Sequence, residues 1–188
     1  MTQSANAFTI ISMSILSNNR RLFKYCPKCG EAALRFVKSS KLVCGKCRFE
    51  YYHNNAAAAA AIITDNKGKI LFVKRAQEPK KGMLDLPGGF ADHGESAEEA
   101  IKREIKEELC LKTASVKYLC SAANIYKYKG VTYSTVDLGF FCKVNDISEA
   151  KASDDAQSII FIAPDKIQMK KIAFKSIRKI ISFYLAGL

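Results

Sequence analysis

Three glutamates in the middle of this 188-residue chain have the spacing of a metal-binding helix face. Glu104, Glu107 and Glu108 lie within five residues, so a helix would project their carboxylates from one side. Like charges at this spacing destabilise a helix unless positive charges offset them, and Arg103 supplies only one positive charge against the three carboxylates. Carboxylate oxygens are hard ligands that favour Mg2+ or Mn2+ over zinc. The alternative interpretation is a solvated acidic face.

A glycine-containing turn precedes these glutamates. Residues 86–90 read Leu-Pro-Gly-Gly-Phe, and adjacent glycines permit a tight turn that a ligand can approach closely. A backbone carbonyl of Gly88 or Gly89 could therefore complete the coordination of a cation. Cations held in this way can bridge protein carboxylates to the phosphates of a substrate.

Four cysteines form a second candidate metal site. Cys26, Cys29, Cys44 and Cys47 follow the pattern C-x2-C-x14-C-x2-C. Two such turns supply the four thiolates that structural Zn2+ prefers, and a site with four protein ligands leaves no position for catalysis. A segment of this length cannot build a sufficient core alone, so zinc would supply its folding energy. Two disulfides or a redox CxxC are the alternatives.

Charge and composition narrow the class of protein. The formal net charge is +12, yet residues 89–109 hold seven acidic side chains against three basic ones. A basic protein with one dense carboxylate patch suits a polyanion that arrives with divalent cations. The hydrophobic fraction of 48% excludes a largely disordered chain.

The sequence predicts a cytoplasmic protein without a membrane span. The longest apolar run, residues 56–63, is less than half of the roughly 20 residues that cross a bilayer. Residues 7–16 make a poor secretory signal because no basic residue precedes them and Thr and Ser interrupt them. An odd number of cysteines, four of them in CxxC pairs, indicates metal binding in a reducing compartment.

The elements that must position these residues can also be predicted. Six consecutive alanines favour a helix by propensity, but the run at 56–64 ends in Ile-Ile-Thr against a turn, so we predict a strand that forms a hairpin with 69–74. A capping box of Ser96 and Glu99 and an apolar stripe predict a helix over 96–109. Residues 51–55 are predicted as a linker. Further strands are predicted at 34–38, 41–43, 116–119, 132–144 and 159–162, and a final helix at 173–185.

The order of the charged residues resembles the Nudix box of the Nudix hydrolases. The match runs from Gly89 through Glu95 to residues 103–111, Arg-Glu-Ile-Lys-Glu-Glu-Leu-Cys-Leu. The box has a glycine where this chain has Cys110. That glycine would end the helix in a left-handed conformation, in which a residue with a Cβ costs roughly 1 kcal/mol. The departure concerns the end of the helix and no metal ligand.

The cysteines extend this resemblance. A zinc ribbon directly before a Nudix domain is similar to the arrangement in NADH pyrophosphatases and in related enzymes that cleave FAD or ADP-ribose. The resemblance implies an α/β (α+β) fold, a Nudix α/β/α sandwich with a mixed β-sheet preceded by a small zinc ribbon. It implies a tail at 1–24, the ribbon at 25–50 and the Nudix domain at 51–188.

The resemblance also implies an activity. Nudix enzymes use metal-activated water to hydrolyse the diphosphate bond of a nucleoside diphosphate derivative, here FAD, ADP-ribose or an NADH-like dinucleotide, and release a nucleoside monophosphate. The SQPWPFPxS element of NADH pyrophosphatases is replaced by Cys-Ser-Ala-Ala-Asn-Ile-Tyr-Lys-Tyr at 120–128. The stretch 172–185 resembles the end of plant FAD and ADP-ribose pyrophosphatases, which favours those substrates.

The box assigns roles by position. It implies that Glu104 and Glu108 bind Mg2+ or Mn2+, that Glu107 is a further ligand or the base, and that a carbonyl of Gly88 or Gly89 completes the coordination. Arg103 would orient a glutamate and Glu95 would support the ligands. Asp154, or next Asp155, lies where related enzymes have a downstream carboxylate ligand. Candidate substrate contacts are Phe90, Tyr126 and Tyr128, which could stack a base, and Arg75, which could meet phosphate.

Two other functions remain open from the sequence. The positive charge, the ribbon and the tyrosines could make a nucleic-acid-binding or RNA cap-removing protein, but no recognised reader motif appears, so nucleic acid is a less favoured partner than a small dinucleotide. A ligand sensor with an inactive Nudix fold would usually have lost box carboxylates, and this chain retains them. Nudix enzymes often pair, so a homodimer is an expectation drawn from the resemblance alone.

Overall fold

The structure, a computed structural model, describes residues 22–37, 40–153 and 156–188. They divide into two compact units. The first contains the residues up to Asn55 together with Ile125–Ser134, and the second contains Ala56–Asn124 and Thr135–Leu188. Within the described residues, no helix has both the length and the apolar character that a membrane crossing requires.

The first unit contains a three-stranded antiparallel sheet. Strands β1 (Leu34–Phe36), β2 (Lys41–Cys44) and β3 (Glu50–Tyr52) lie in that order. The strand predicted at 41–43 is confirmed, and the strand predicted at 34–38 is present but ends at Phe36, while residue 38 lies outside the described residues. The prediction of a linker from residue 51 is wrong at its start. Tyr51 pairs with Leu42 in β2, and the Phe23 ring packs 6.5 Å from the Tyr51 ring, so aromatic packing supports the third strand.

Two sheets form the second unit. Its strands are β4 (Ala56–Ile62), β5 (Ile70–Arg75), β6 (Leu84–Asp85), β7 (Gly88–Phe90), β8 (Thr113–Tyr128), β9 (Val131–Val144) and β10 (Ala156–Ile162), of which β8 and β9 reach into the first unit. One sheet has the order β7-β4-β9-β8 and the other β10-β5-β6. Strands β4 and β9 are parallel while β4 and β7 are antiparallel, so the predicted mixed sheet is confirmed.

The alanine run forms strand β4, as predicted, but its hairpin with β5 is confined to the turn. Asp65 donates to Lys69 and Leu71 to Ile63 through their backbones. Beyond these bonds the two strands join different sheets. The prediction of a full hairpin is therefore wrong, because the sequence shows the turn but not which strands pair further along.

Small residues in the central strands allow helices to pack closely on both faces. Ala59 and Ala61 lie in a core cluster with Ile101 and Ile105, whereas Ala60 lies in a second cluster on the opposite face. On β9, a Cβ at Gly139 would lie 3.0 Å from Cγ1 of Ile180 in the final helix and even closer to its Cγ2. Ala60 pairs with Gly139, so both residues at this point of the sheet are small and the final helix can lie close to the strands.

Two helices complete the second unit. Helix α1 spans Ala97–Leu109, and the predicted capping box of Ser96 and Glu99 is present. Helix α2 spans Lys175–Leu185, two residues shorter at its start than predicted because Phe174 is extended. Three 3-10 turns occupy Ile147–Glu149, Pro164–Lys166 and Met169–Lys171.

The segment between the strands predicted at 116–119 and 132–144 is part of a long hairpin. Strand β8 continues to Tyr128, and β9 follows after Lys129 and Gly130. These two residues have φ values of 45° and 82°, which is the backbone of a two-residue type I′ turn. The alternation of Tyr126, Lys127 and Tyr128 before a glycine was a sequence signal for this hairpin.

Helix α1 ends at Cys110 in the left-handed conformation that the sequence comparison with the box anticipated. Its φ is 58°, and its N–H donates to the carbonyls of Ile105 and Lys106.

We expect Cys110→Gly to raise the free energy of unfolding by about 0.5–1 kcal/mol, because glycine adopts positive φ without a Cβ penalty. Denaturant unfolding measures this. Cys110→Ala, which removes the thiol but keeps the Cβ, should show no such gain, and equal stability of the two variants would contradict the explanation.

Candidate active site

Helix α1 presents its three glutamates at different depths. Glu108 is buried with 7% of its surface exposed, the Glu104 side chain is half-buried at 14%, and that of Glu107 is exposed at 48%. The apolar side chains Ile101 and Ile105 are fully buried and fix the helix on the sheet. Glu104 and Glu108 are therefore held towards the protein, while Glu107 lies at the solvent boundary.

Strand β7 supplies a glycine platform for the two deeper glutamates. The N–H of Gly88 donates to Oε2 of Glu108 over 3.0 Å. A Cβ at Gly89 would overlap the Glu104 carboxylate, with Cδ only 2.7 Å away. Gly88 itself has a φ of 144°, and a Cβ there would overlap the carbonyl oxygen of Ala59. Both positions need glycine, because the carboxylates and the backbone of β4 lie directly against β7.

Arg103 joins the glutamates to the preceding loop. Its Nε and Nη2 donate to the two oxygens of Glu95 over 2.8 and 3.0 Å, a bidentate pair. Nη1 donates to Glu104 over 2.7 Å and to Glu107 over 3.0 Å. Nη2 also donates to the carbonyl of Phe90 over 2.9 Å. One guanidinium therefore fixes the loop, strand β7 and two of the three helix carboxylates.

The electrostatics of this network follow from its hydrogen bonds. The Arg103 guanidinium, together with the backbone N–H of Asp92, lowers the pKa of Glu95 to about 2. Its partner carboxylates, Glu95 first, raise the pKa of Arg103. Glu95 is therefore ionised at every physiological pH and acts as the fixed anchor for Arg103.

The donor set fits a hard divalent cation. Helix α1 carries the carboxylates of Glu104 and Glu108 towards the protein and that of Glu107 at the solvent boundary. Because Gly89 has no Cβ, the Glu104 carboxylate can lie directly against strand β7. Oxygen ligands of this kind match Mg2+ or Mn2+.

Asp154 and Asp155 lie outside the described residues. The segment before them is fixed to the end of α1, since Lys151 and Ser153 donate through their N–H groups to the carbonyls of Leu109 and Glu108 over 3.0 and 2.9 Å.

The candidate substrate contacts are distributed over both units. Phe90 lies in the second unit next to Gly89 and is 39% exposed. Tyr126 and Tyr128 lie in the first unit with ring centroids 6.3 Å apart. Arg75 donates to Asp85 over 2.9 Å and to the carbonyl of Pro79 over 2.8 Å, and its guanidinium lies 5.0 Å from the Phe174 ring centroid.

Asp85, the partner of Arg75, was not anticipated from the sequence. It is only 6% exposed, and burial raises its pKa to about 6 although Arg75 acts in the opposite direction. The sequence signal was a lone carboxylate between leucines at 84–86, but its partner could not be inferred. Asp137 was missed in the same way, as the single acidic residue of strand β9, and it is also 6% exposed.

The four cysteines of the first unit form a compact sulfur cluster, as predicted. Their Sγ atoms all lie within 4.8 Å of one another, and the pairs Cys26–Cys47 and Cys29–Cys44 are 3.7 Å apart. A tetrahedral zinc with Zn–S bonds of about 2.3 Å requires S–S edges of about 3.8 Å. The geometry therefore fits zinc. Hydrogen bonds from the backbone of Cys47, and less from that of Lys46, lower the pKa of the Cys44 thiol to about 6.

Both cysteine turns use the same backbone. Gly30 and Arg48, each directly after a CxxC pair, have φ values of 72° and 60°. Their N–H groups donate to the carbonyls of Cys26 and Cys44 respectively. The second turn thus adopts with an arginine the conformation that the first obtains with a glycine.

Comparison with known proteins identifies similar chains. The NUDIX domain model matches residues 54–182. An ADP-ribose pyrophosphatase of Methanocaldococcus jannaschii is 36% identical over 125 residues, which cover 65% of this chain and 69% of the relative. The mitochondrial NAD(P)H pyrophosphatase NUDT13 of Homo sapiens is 33% identical over 114 residues, 57% of this chain and 32% of that protein. The crystal structure of a NUDIX hydrolase from Nitrosomonas europaea superposes with a TM-score of 0.67 at 25% identity, covering 88% of this chain and 92% of that one.

Proposed function

The chain belongs to the NUDIX family, and from this premise we propose that it hydrolyses the diphosphate bond of an adenine-containing nucleoside diphosphate derivative. The observation that carries the proposal is the packing of Glu104 and Glu108 on the Gly88–Gly89 backbone. ADP-ribose is the first candidate substrate, because the Methanocaldococcus jannaschii relative is named for it. FAD and NADH-like dinucleotides are the next candidates.

The residues of α1 would hold the catalytic metal. We propose Glu104 and Glu108 as the principal ligands of Mg2+ or Mn2+, with Glu107 as a further ligand or the base and the carbonyl of Gly88 or Gly89 in support. When bound, a divalent cation supplies charge neutralisation of the diphosphate and a more acidic water. A carboxylate acting as the base would accept one proton from the attacking water while the water oxygen bonds to one phosphorus and the bridging P–O bond breaks, so that the products are two phosphate monoesters.

The remaining residues of the network would position these ligands. Arg103 holds Glu104 and Glu107 in fixed orientations, and Glu95 holds Arg103 through its bidentate pair. Neither residue needs to touch substrate. Asp154 is our candidate for a downstream carboxylate ligand, supported by the hydrogen bond that ties neighbouring Ser153 to the Glu108 carbonyl.

The four cysteines would bind a structural zinc ion. The sulfur spacing supports this, and four protein ligands leave no open position for substrate. A thiolate site needs reduced cysteines, which is consistent with a cytoplasmic location.

Gel filtration with light scattering would test the homodimer that the family resemblance led us to expect.

A substrate panel tests the proposed function. Purified protein is incubated with Mg2+ or Mn2+ and FAD, ADP-ribose, NADH, NAD, dinucleoside polyphosphates or capped RNA, and products are separated by chromatography. We expect AMP release from ADP-ribose, FAD or an NADH-like dinucleotide, with one of these substrates preferred over the others. Cleavage of capped RNA alone would favour the RNA cap-removing alternative, and cleavage of none of them would contradict the proposal.

A further inference from the structure

The register of the mixed sheet places one aromatic, one small and one acidic residue in a row. Ala58 in β4 pairs with Phe90 in β7 on one side and with Asp137 in β9 on the other. Directly paired residues project to the same face of a sheet. Phe90 and Asp137 therefore flank Ala58, at a backbone separation of about 10 Å for two strand spacings.

This row faces away from helix α1. Neighbouring residues of a strand alternate between faces, and Gly89, directly before Phe90, is the residue that faces Glu104. The next row along the sheet, Gly88–Ala60–Gly139, is on the same face as the Phe90 row, and Ile180 of helix α2 packs against Gly139 and lies in one core cluster with Ala60. The Phe90 row is less enclosed, since Ala58 is half-buried and Phe90 is 39% exposed.

Asp137 has one carboxylate oxygen fixed and one available. The Thr135 hydroxyl donates to Oδ1 over 2.7 Å. The residue is only 6% exposed. Among the described residues, Oδ2 accepts no hydrogen bond, and the fully enclosed side-chain atoms without a partner are the hydroxyls of Thr113 and Ser176, so Oδ2 keeps some exposed surface. A buried carboxylate costs free energy unless its oxygens accept hydrogen bonds. Oδ2 therefore suits a donor supplied by a ligand.

Strand β7 connects this row to the candidate active site. Gly88 and Gly89 contact the glutamates of α1, and Phe90 is the next residue at the edge of the sheet. Arg103, which orients Glu104, also fixes the carbonyl of Phe90. A dinucleotide whose diphosphate lies at Glu104 and Glu108 can thus extend one nucleoside around the β7 edge onto the Phe90 row.

We propose that the Phe90–Ala58–Asp137 row is the adenine subsite, in which Asp137 Oδ2 accepts a hydrogen bond from the exocyclic amino group of the base. The inference rests on the proposed function and names the part of the substrate that is recognised. Ala58 provides a flat floor for the ring, Phe90 provides an aromatic neighbour, and Thr135 orients the acceptor. An acceptor at this position discriminates against hypoxanthine, which has a carbonyl in place of the amino group.

Base substitution in the ligand tests this directly. We expect wild-type protein to bind AMP more tightly than IMP in calorimetry, and to cleave ADP-ribose with a higher kcat/KM than its hypoxanthine counterpart, each by roughly tenfold or more, the range for a hydrogen bond to a charged group. Asp137→Asn, which replaces the Oδ2 acceptor by an amide able to donate, should abolish or invert both preferences. Asp165→Asn makes the same chemical change at an exposed aspartate and should leave both preferences intact.

The outcomes separate this inference from the proposed function. Equal affinity of the wild type for AMP and IMP, or an unchanged preference in a folded Asp137→Asn protein, overturns the subsite even if ADP-ribose is hydrolysed. A preference for AMP that Asp137→Asn abolishes supports the subsite even if no diphosphate is cleaved. If Asp137→Asn does not fold, Thr135→Val is tested instead, because loss of the Thr135 hydroxyl frees the Asp137 carboxylate to rotate. This variant should show a weaker preference for AMP over IMP, and an unchanged preference would overturn the proposed adenine subsite.

Discussion

Glu108→Gln is expected to lower kcat for metal-dependent diphosphate hydrolysis by about a thousandfold, since loss of a charged metal ligand removes several kcal/mol of transition-state stabilisation. Glu108 is the most buried of the three α1 glutamates and accepts a hydrogen bond from Gly88. Glutamine preserves the shape and can keep that bond through its amide oxygen. The variant should therefore fold normally and fail in catalysis, which steady-state kinetics with a thermal melt will measure.

A control on the same helix isolates the position of the charge. Glu98→Gln removes one carboxylate from the exposed first turn of α1, outside the capping box. It should retain kcat within about twofold, because exposed surface charges contribute little. We also expect Glu108→Gln to require a higher Mg2+ concentration for half-maximal activity. Equal activities of the two variants would contradict the assignment of Glu108 as a ligand.

Cys44→Ser is expected to abolish zinc binding and unfold the sheet of the first unit. The buried apolar side chains of this unit among the described residues are Leu42, Cys26 and Cys44, so two of the three belong to the sulfur cluster. Such a unit cannot be stable through apolar burial alone. Zinc binding to four thiolates contributes on the order of 10 kcal/mol in small zinc domains, so losing the site removes most of the folding energy.

Metal content and limited proteolysis measure this effect. Wild-type protein should carry about one zinc ion per chain and resist cleavage between residues 22 and 55, whereas Cys44→Ser should lose the zinc and be cleaved there. Cys110→Ser replaces an exposed cysteine outside the cluster and should behave as wild type. Full zinc retention in Cys44→Ser would show that the sulfur cluster is not the zinc site.

The sequence predicted features whose signals are local. The capping box at Ser96 and Glu99 and the apolar stripe from Ile101 to Leu109 fix helix α1 through contacts within a few turns, so its bounds were predicted almost to the residue. The cysteine spacing likewise predicted the sulfur cluster. In both cases residues close in sequence determine the geometry, and no knowledge of strand pairing is needed.

Features that depend on strand register were not predictable. The partnership of Arg75 with Asp85 joins two strands of one sheet, and the row that contains Asp137 requires the pairing of β4 with both β7 and β9. Strand β7 was predicted only as a turn, because three residues with two glycines have little strand propensity. It is a strand because it pairs with β4, and this long-range pairing places Gly88 and Gly89 beneath the glutamates.

Metal-dependent attack on the diphosphate bond can be tested by a time course of ADP-ribose hydrolysis with Mg2+ and with EDTA, followed by phosphorus NMR in water enriched in oxygen-18. We expect equal amounts of AMP and ribose 5-phosphate with Mg2+, the heavy oxygen in one of the two monoesters, and no product with EDTA. Product formation that persists in EDTA, or release of inorganic phosphate from the diphosphate, would contradict a metal-dependent attack on the diphosphate bond.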